Sequence, residues 1–362
     1  MHVVDYYMYV DSIRLENFRS YSLQEFSFSN GINVIEGANA VGKTNLVEAV
    51  YFCAVGKSPR TNRDKELIKW NTDHAKLSIK IVNKYRLSKI TALLTKNGEK
   101  RIAIDGAGIT RMGELIGRMG VVFFSPDELK MIKETPQERR RFMDISLSQQ
   151  SRAYFYNLQN YTKILTNRNN LLKENYKQNY FEQTLPVWDI QLAKEGAEII
   201  RKRREFIDFL SPIVDERHKS IAGKENGLKV EYETAVNSED IENELLKLLE
   251  TNREKDIRLG YTTIGPHRDD MLITSNGIDL RNYGSQGQQR TAALSLKLAE
   301  ADCIEIRTKE RPILILDDVL SELDPKRRQE LLKQAQKQQT LLTCTDYTED
   351  KSIVDKLIKI EK

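Results

Sequence analysis

The chain has 362 residues, with 57 Lys and Arg against 53 Asp and Glu, a formal charge of +4, 40% hydrophobic residues and three cysteines. This is a soluble globular composition, long enough for one large domain or two or three smaller ones, and no apolar run approaches the ~20 residues that cross a bilayer. Cys53, Cys303 and Cys344 are far apart, which excludes a disulfide framework or a Cys metal site, and a charge this mild does not by itself establish an anionic partner.

The first residues, MHVVDYYMYV, lack the charged start, apolar core and small-residue cleavage site of a signal peptide, so a cytoplasmic location is expected. The first third reads as α/β. Glu25 to Phe28 and Leu77 to Val82 alternate as strands, and Ile32 to Glu36 is a short apolar strand. Asn97-Gly98 and Asp105-Gly106 mark turns between later strands.

The strand at Ile32 leads into Gly37, Ala38, Asn39, Ala40, Val41, Gly42, Lys43 and Thr44, and then into a helix from Asn45 to Ala54. Strand, loop and helix are the context that G-x-x-x-x-G-K-[ST] requires. Its glycines let backbone N–H groups turn toward phosphate oxygens, and the helix N-terminus adds favourable partial charge. Lys43 is expected to reach the β and γ phosphates of ATP, and Thr44 to ligate Mg²⁺. The alternative is a glycine turn before a core helix, which the flanking elements disfavour.

From about Thr135 to Ile221 turn signals become sparse and the spacing is helical, with Pro186 and Pro212 as the main breaks. This segment holds two basic clusters, Arg139-Arg140-Arg141 and Arg201-Lys202-Arg203-Arg204. Arginine forks suit DNA phosphates, but basic runs on long helices are commonly solvated faces paired with carboxylates. Tyr154, Tyr156 and Tyr161 are spaced for packing, and His267 and Arg268 in GPHRDD are expected to satisfy themselves locally. No helix-turn-helix or zinc-finger pattern is present, so base-specific readout is not indicated.

Gly284, Ser285 and Gly287 precede a helix with apolar positions at Ala292, Ala293, Leu296, Ala299 and Cys303. Such an N-terminus is a second anion site. One ATP needs only one, which suggests that this one serves the nucleotide of another copy. Further on, Ile313 to Leu316 read as a parallel strand covered on both faces, closing in Asp317-Asp318. Asp317 is the candidate Mg²⁺ ligand, and Asp318 the candidate for orienting or deprotonating the attacking water.

The order of phosphate loop, helical insertion, S-x-G-Q-Q-R stretch and L-D-D-V-x-S-E-L-D stretch resembles the RecF family of bacterial recombinational repair ATPases, related to SMC and ABC-type ATPases. IRLENFRSY, GKSPRT, FFSPDELKMIKETPQERRRFMD and GPHRDD extend the resemblance over nearly the whole chain. It implies an α/β, two-lobed ABC-type ATPase head (P-loop NTPase) with an inserted helical arm: residues 1–132, an arm at 133–224, and 225–362. It also implies an ATP-dependent homodimer in which Gly37 to Thr44 of one protomer and Ser285, Gly287 and Gln288 of the other enclose each ATP. Asp318 maps to the catalytic carboxylate and Asp324 to the loop bridging the two sites.

The implied activity is weak, DNA-stimulated ATP hydrolysis by a protein of recombinational repair. It would bind duplex or gapped DNA without base specificity and, with RecR and RecO, help load the recombinase. No membrane partner is implied. A transporter ATPase subunit and a DNA-independent ATP switch are the rivals. Two departures stand out: Ala40 occupies a position where relatives often carry Gly, and LLTCTDY offers no His where ABC-type relatives have one.

Overall fold

The computed structural model describes residues 8–83, 86–173 and 181–361. The chain forms two compact units. Met1–Glu128, Ser220–Lys224 and Ala293–Lys362 make the first, and Leu129–Lys219 with Glu225–Ala292 the second.

The first unit begins with strands β1 (Tyr9–Phe18), β2 (Tyr21–Ser27) and β3 (Ile32–Glu36), followed by helix α1 (Lys43–Val55). Then come β4 (His74–Val82), β5 (Leu87–Thr95), β6 (Lys100–Ile104), β7 (Ala107–Gly108) and β8 (Val121–Phe124). β4 and β5 alternate buried and outward residues, the period of a sheet with one face on a core. They join an antiparallel sheet ordered β2-β1-β4-β5-β6-β7. α1 instead buries nearly its whole circumference, including Leu46, Val47, Val50 and Phe52. A helix apolar all round belongs inside. It packs against strands of both sheets of this unit, which share one apolar core.

The second unit contains α2 (Lys130–Lys133), α3 (Pro136–Gln150), α4 (Arg152–Lys173), α5 (Phe181–Ala222), β9 (Leu228–Glu233), α6 (Ile241–Thr251) and α7 (Arg253–Leu259). β10 (Asp270–Ser275), β11 (Ile278–Asp279), α8 (Leu280–Tyr283) and the start of α9 (Gln286–Thr308) complete it. β9, β10 and β11 form a small antiparallel sheet.

Two expectations change here. Pro186 and Pro212 lie inside α5 rather than breaking it. Each removes one helical N–H, and the buried row Leu185, Leu192, Phe206, Leu210 and Val214 keeps the helix continuous across them. The inserted segment is also longer than 133–224, because strands β9 to β11 and the Ser285 stretch cluster with the helices instead of with the last third.

The first unit closes with β12 (Ile313–Asp317), α10 (Pro325–Ala335), β13 (Thr340–Cys344) and β14 (Lys356–Lys359). Its second sheet is parallel, ordered β14-β3-β13-β12-β8. Ile313 to Leu316 are buried throughout, as a strand covered on both faces requires. Among the described residues no helix is long and apolar enough to cross a membrane.

Candidate nucleotide-binding site

β3 and β12 are separated in the sheet by β13 alone, and both end at the same edge, where Asp317 pairs in register with Thr343 and Cys344 with Glu36. The loop Gly37 to Thr44 and the acidic pair therefore meet at the carboxyl ends of parallel strands, where open α/β sheets bind ligands.

The loop's backbone is unusual for identifiable reasons. A Cβ on Gly37 would stand 2.4 Å from the carbonyl oxygen of Ile360, so only glycine fits. Gly42 caps α1 at φ 118 and, having no side chain, makes no N-cap bond to the helix's first N–H groups. Those donors form the positive end of a 13-residue helix, the kind of end that suits an anion. The Gly42 carbonyl accepts from the Tyr21 hydroxyl at 3.0 Å, which pins the loop from below. Ala40 adopts φ 65, the left-handed region that favours glycine. That explains the preference for Gly at this position and leaves a strained alanine here.

The Lys43 side chain is only 8% exposed, and its ammonium donates to the carbonyls of Gly37 at 2.7 Å and Ala38 at 2.9 Å. An ammonium has three donors, so the same group can serve a phosphate at the loop. The Thr44 hydroxyl donates to Asp317 Oδ1 at 3.0 Å. A hydroxyl that donates keeps its lone pairs for a cation, and a hydroxyl plus one carboxylate suits Mg²⁺, which retains water and phosphate ligands. The donor set fits that ion. Burial raises the Asp317 pKa, while hydrogen bonds from Thr343 and Thr44 and the charge of Arg60 pull it back.

Asp318 differs from its neighbour in every respect. It is exposed, it sits at φ 54, and its N–H donates to the Thr343 hydroxyl at 3.0 Å. A left-handed aspartate at a strand end turns its carboxylate out of the sheet. The pair thus offers one buried and one solvent-facing acid.

Arg60, Arg19 and Glu48 were not singled out by sequence. Buried Glu48 on α1 accepts from Arg19 at 2.9 and 2.8 Å and from Ser58 at 2.5 Å, and Arg60 lies 3.6 Å from it. This ties the SPRT turn to the helix behind the loop. The available signal was the GKSPRT stretch one helix after the loop.

Ser285, Gly287 and Gln288 open α9 in the second unit. The Gln288 N–H donates to Ser285 Oγ at 3.3 Å, and the Ser285 N–H donates to Gln288 Oε1 at 2.8 Å. This S-x-x-Q pair is a reciprocal capping box, so the stretch has a structural role that sequence reading missed. The Ser285 hydroxyl, having accepted, still carries a proton to donate. Asp324 likewise caps α10, accepting from the Arg327 N–H at 3.1 Å.

The basic clusters divide. Arg139 is buried, with a two-pronged ion pair to Asp270 at 2.6 and 2.8 Å. Arg203 is buried and donates to Asp144 at 2.7 Å and to the Pro266 carbonyl at 2.7 Å. Neither presents a face to a DNA phosphate, which corrects the expectation for both. Arg140 donates to the Asp269 carbonyl and Arg204 to those of Val236 and Ser238, so both are half committed. Arg141, Arg201 and Lys202 keep exposed or half-exposed heads beside Glu138, Glu198 and Glu205. The GPHRDD turn is satisfied only partly by local bonds: His267 meets the Thr262 carbonyl at 3.1 Å but also the Tyr161 hydroxyl, 106 residues away, at 2.6 Å, and Arg268 meets the Thr262 carbonyl at 3.0 Å. Tyr154 and Tyr161 are core residues.

A strand, a glycine loop on a helix N-terminus and an acidic pair on the next strand but one define an ABC-type ATPase head of the P-loop class. The family described as the RecF/RecN/SMC N terminal domain matches residues 9–362. The chain is 43% identical over 350 residues to the DNA replication and repair protein RecF of Clostridium kluyveri, covering 96% of each. It is 45% identical over 355 residues to that of Clostridium perfringens, covering 98% of this chain and 97% of the relative. Two solved structures, described as the recombination mediator protein RecF with ATPrS and with ATP in the RecFOR pathway, superpose with TM-scores of 0.90 and 0.91. The first is 34% identical and covers 99% of this chain and 98% of its own; the second is 35% identical and covers 97% and 95%. An Smc head from Pyrococcus furiosus, 19% identical over 97% of this chain and 93% of its own at a TM-score of 0.57, shares the fold. The chain belongs to the RecF family.

Proposed function

We propose that this protein is an ATP-hydrolysing DNA-repair protein that dimerises on ATP and holds DNA in that state. The observation that carries the reading is the Thr44–Asp317 hydrogen bond, which joins the phosphate loop and the acidic strand across 273 residues of sequence. Among its relatives, the curated ones are named for DNA replication and repair, and two solved ones are described with ATP or ATPrS.

In this reading the loop N–H groups from Gly37 to Gly42 and the start of α1 bind the phosphates, and Lys43 supplies charge to their β and γ oxygens. Thr44 and Asp317 would hold Mg²⁺, which when bound would supply positive charge against that developing on the transferring phosphate. Asp318, exposed beside that pair, orients the attacking water and takes its proton. Ser285, Gly287 and Gln288 of a second copy complete the enclosure, and hydrolysis is slow because part of the site arrives with the partner.

Duplex or gapped DNA is bound without base readout, with Arg141, Arg201 and Lys202 the remaining candidates in the original clusters. Release follows hydrolysis, and DNA stimulates the turnover. Partnership with RecR and RecO in recombinase loading belongs to the same reading, and a solved relative's description as a recombination mediator in the RecFOR pathway supports it.

Sedimentation with ATP, ADP or no nucleotide, with and without a short gapped duplex, tests the reading. An ATP-specific dimer that retains DNA is expected. A monomer under every condition that ignores DNA would remove the repair role and leave the nucleotide site.

A further inference from the structure

β13 lies between the loop strand and the acidic strand, and one of its side chains touches the acidic pair twice. The Thr343 hydroxyl donates to Asp317 Oδ1 at 2.7 Å and accepts from the Asp318 N–H at 3.0 Å. It is 1% exposed, so neither bond is exchanged for water. A hydroxyl has one proton and can accept as well, and here both capacities are spent on adjacent residues.

We infer that Thr343 is a positioning residue for ATP hydrolysis, clasping the Asp317 carboxylate and the Asp318 backbone in one geometry. This rests on the reading above, in which Asp317 helps hold Mg²⁺ and Asp318 handles the water. Two features make the clasp necessary. Asp317 Oδ1 also receives the Thr44 hydroxyl, which comes from the first turn of α1 beside the nucleotide loop. Thr343, in register on the neighbouring strand, is the donor fixed by the sheet itself. Asp318 in turn sits at φ 54, where a residue with a Cβ stays only if its surroundings hold it. Its N–H finds that hold on Thr343. One hydroxyl therefore sets both where the buried acid lies and which way the exposed one faces.

The experiment compares Thr343→Val, Thr343→Ser, Asp318→Asn and Thr340→Val in the full chain. Fluorescent-ATP affinity is measured with and without Mg²⁺, alongside single-turnover hydrolysis and thermal melting. Loss of a group that orients a ligand or reacting residue typically costs about 10- to 100-fold. Thr343→Val is expected to bind the nucleotide normally without Mg²⁺, to lose most of the affinity that Mg²⁺ adds, and to hydrolyse about 10- to 100-fold more slowly even at saturating nucleotide and Mg²⁺. Thr343→Ser restores both. Thr340, whose buried hydroxyl donates to the Ala335 carbonyl at 2.8 Å, is the control for a purely structural loss on the same strand. Its valine variant lowers the melting temperature and leaves nucleotide behaviour unchanged.

If Asp318→Asn abolishes hydrolysis while Thr343→Val keeps the parent's rate and Mg²⁺ response, the clasp is wrong and the site reading stands. If Asp318→Asn hydrolyses normally, the site reading fails and the clasp fails with it. Should Thr343→Val not fold, Thr343→Cys keeps the size with a weak thiol donor, and parent-like hydrolysis in it overturns the inference.

Discussion

Lys43 and Arg203 are both almost buried cations, 8% and 2% exposed, yet they are held in opposite ways. The hydrogen bonds of Lys43 go to two neutral carbonyls of its own loop, whereas Arg203 meets a carboxylate, a phenol and a carbonyl of its own unit. Withdrawing a charge from water is costly unless an opposite charge answers it. Arg203 has its answer inside the unit, and so has Arg168, set between Asp189 and Asp256 at 2.7 and 2.8 Å. In the proposed reading, the charge that answers Lys43 is the phosphate of a ligand. The partner of a buried cation, more than its position in a basic run, separates a binding group from a structural one.

Breaking the structural side of the comparison should have the largest effect. Arg168→Met leaves Asp189 and Asp256 short of their central cation, and about 3–5 kcal/mol of stability is expected to go, read by chemical denaturation. Arg203→Met should behave alike. Fluorescent-ATP affinity should stay within about twofold in both, since neither residue is placed at the phosphate loop. Unchanged stability with lost DNA binding would reverse the assignment of Arg203. On the binding side, Lys43→Arg is expected to slow hydrolysis by about 10²–10³-fold, ~3–4 kcal/mol at the transition state, with the melting temperature nearly unchanged. Normal turnover would remove the loop assignment.

The GPHRDD turn sharpens the same contrast through pH. Burial lowers the His267 pKa to about 4 and raises that of Asp269 to about 6. The His267 contribution is present above its unfolded value, near 6.5, and is lost as pH falls through 4. That of Asp269 is present below 3.8 and is lost as pH rises through 6. The two slopes oppose each other, so the parent's stability should change little from this pair between pH 4 and 6. Asp269→Asn should unmask a fall on acidification of up to about 3 kcal/mol, and His267→Gln a rise of similar size, each relative to the parent. Parallel pH curves for all three proteins would show that the turn carries no such balance.

The loop, the acidic strand and α1 could be read from sequence because each rests on local chemistry: glycine where a Cβ collides, four apolar residues where both faces are covered, helical spacing on an apolar stretch. What was hidden depends on the partner across the fold. Arg139 and Arg141 are two residues apart in one helix, and only the first meets Asp270, 131 residues away. Nothing local in LLTCTDY marks Thr343 as different from its neighbours. Its significance appears only when β13 is placed beside β12. Pro186 and Pro212 looked like breaks because propensity speaks for the isolated chain, and tertiary burial overrode it.

Ser285 stands on both sides of the comparison and yields the smallest, most discriminating test. Its hydroxyl accepts from the Gln288 N–H, an N-cap role worth about 1 kcal/mol, and keeps a proton for a phosphate oxygen. Ser285→Ala removes both capacities, so a loss of about 1 kcal/mol of stability together with weaker ATP-driven dimerisation would leave the two roles entangled. Ser285→Asp separates them. A carboxylate is as good an N-cap as a hydroxyl and gains a few tenths of a kcal/mol from the helix dipole, so stability should hold or rise slightly. The same carboxylate has no proton to give and repels a phosphate. The aspartate variant should therefore melt like the parent, bind ATP as a monomer and sediment without the dimer. If it dimerises normally, the capping box is the whole reason for S-x-x-Q here, and the partner's nucleotide is held by other groups.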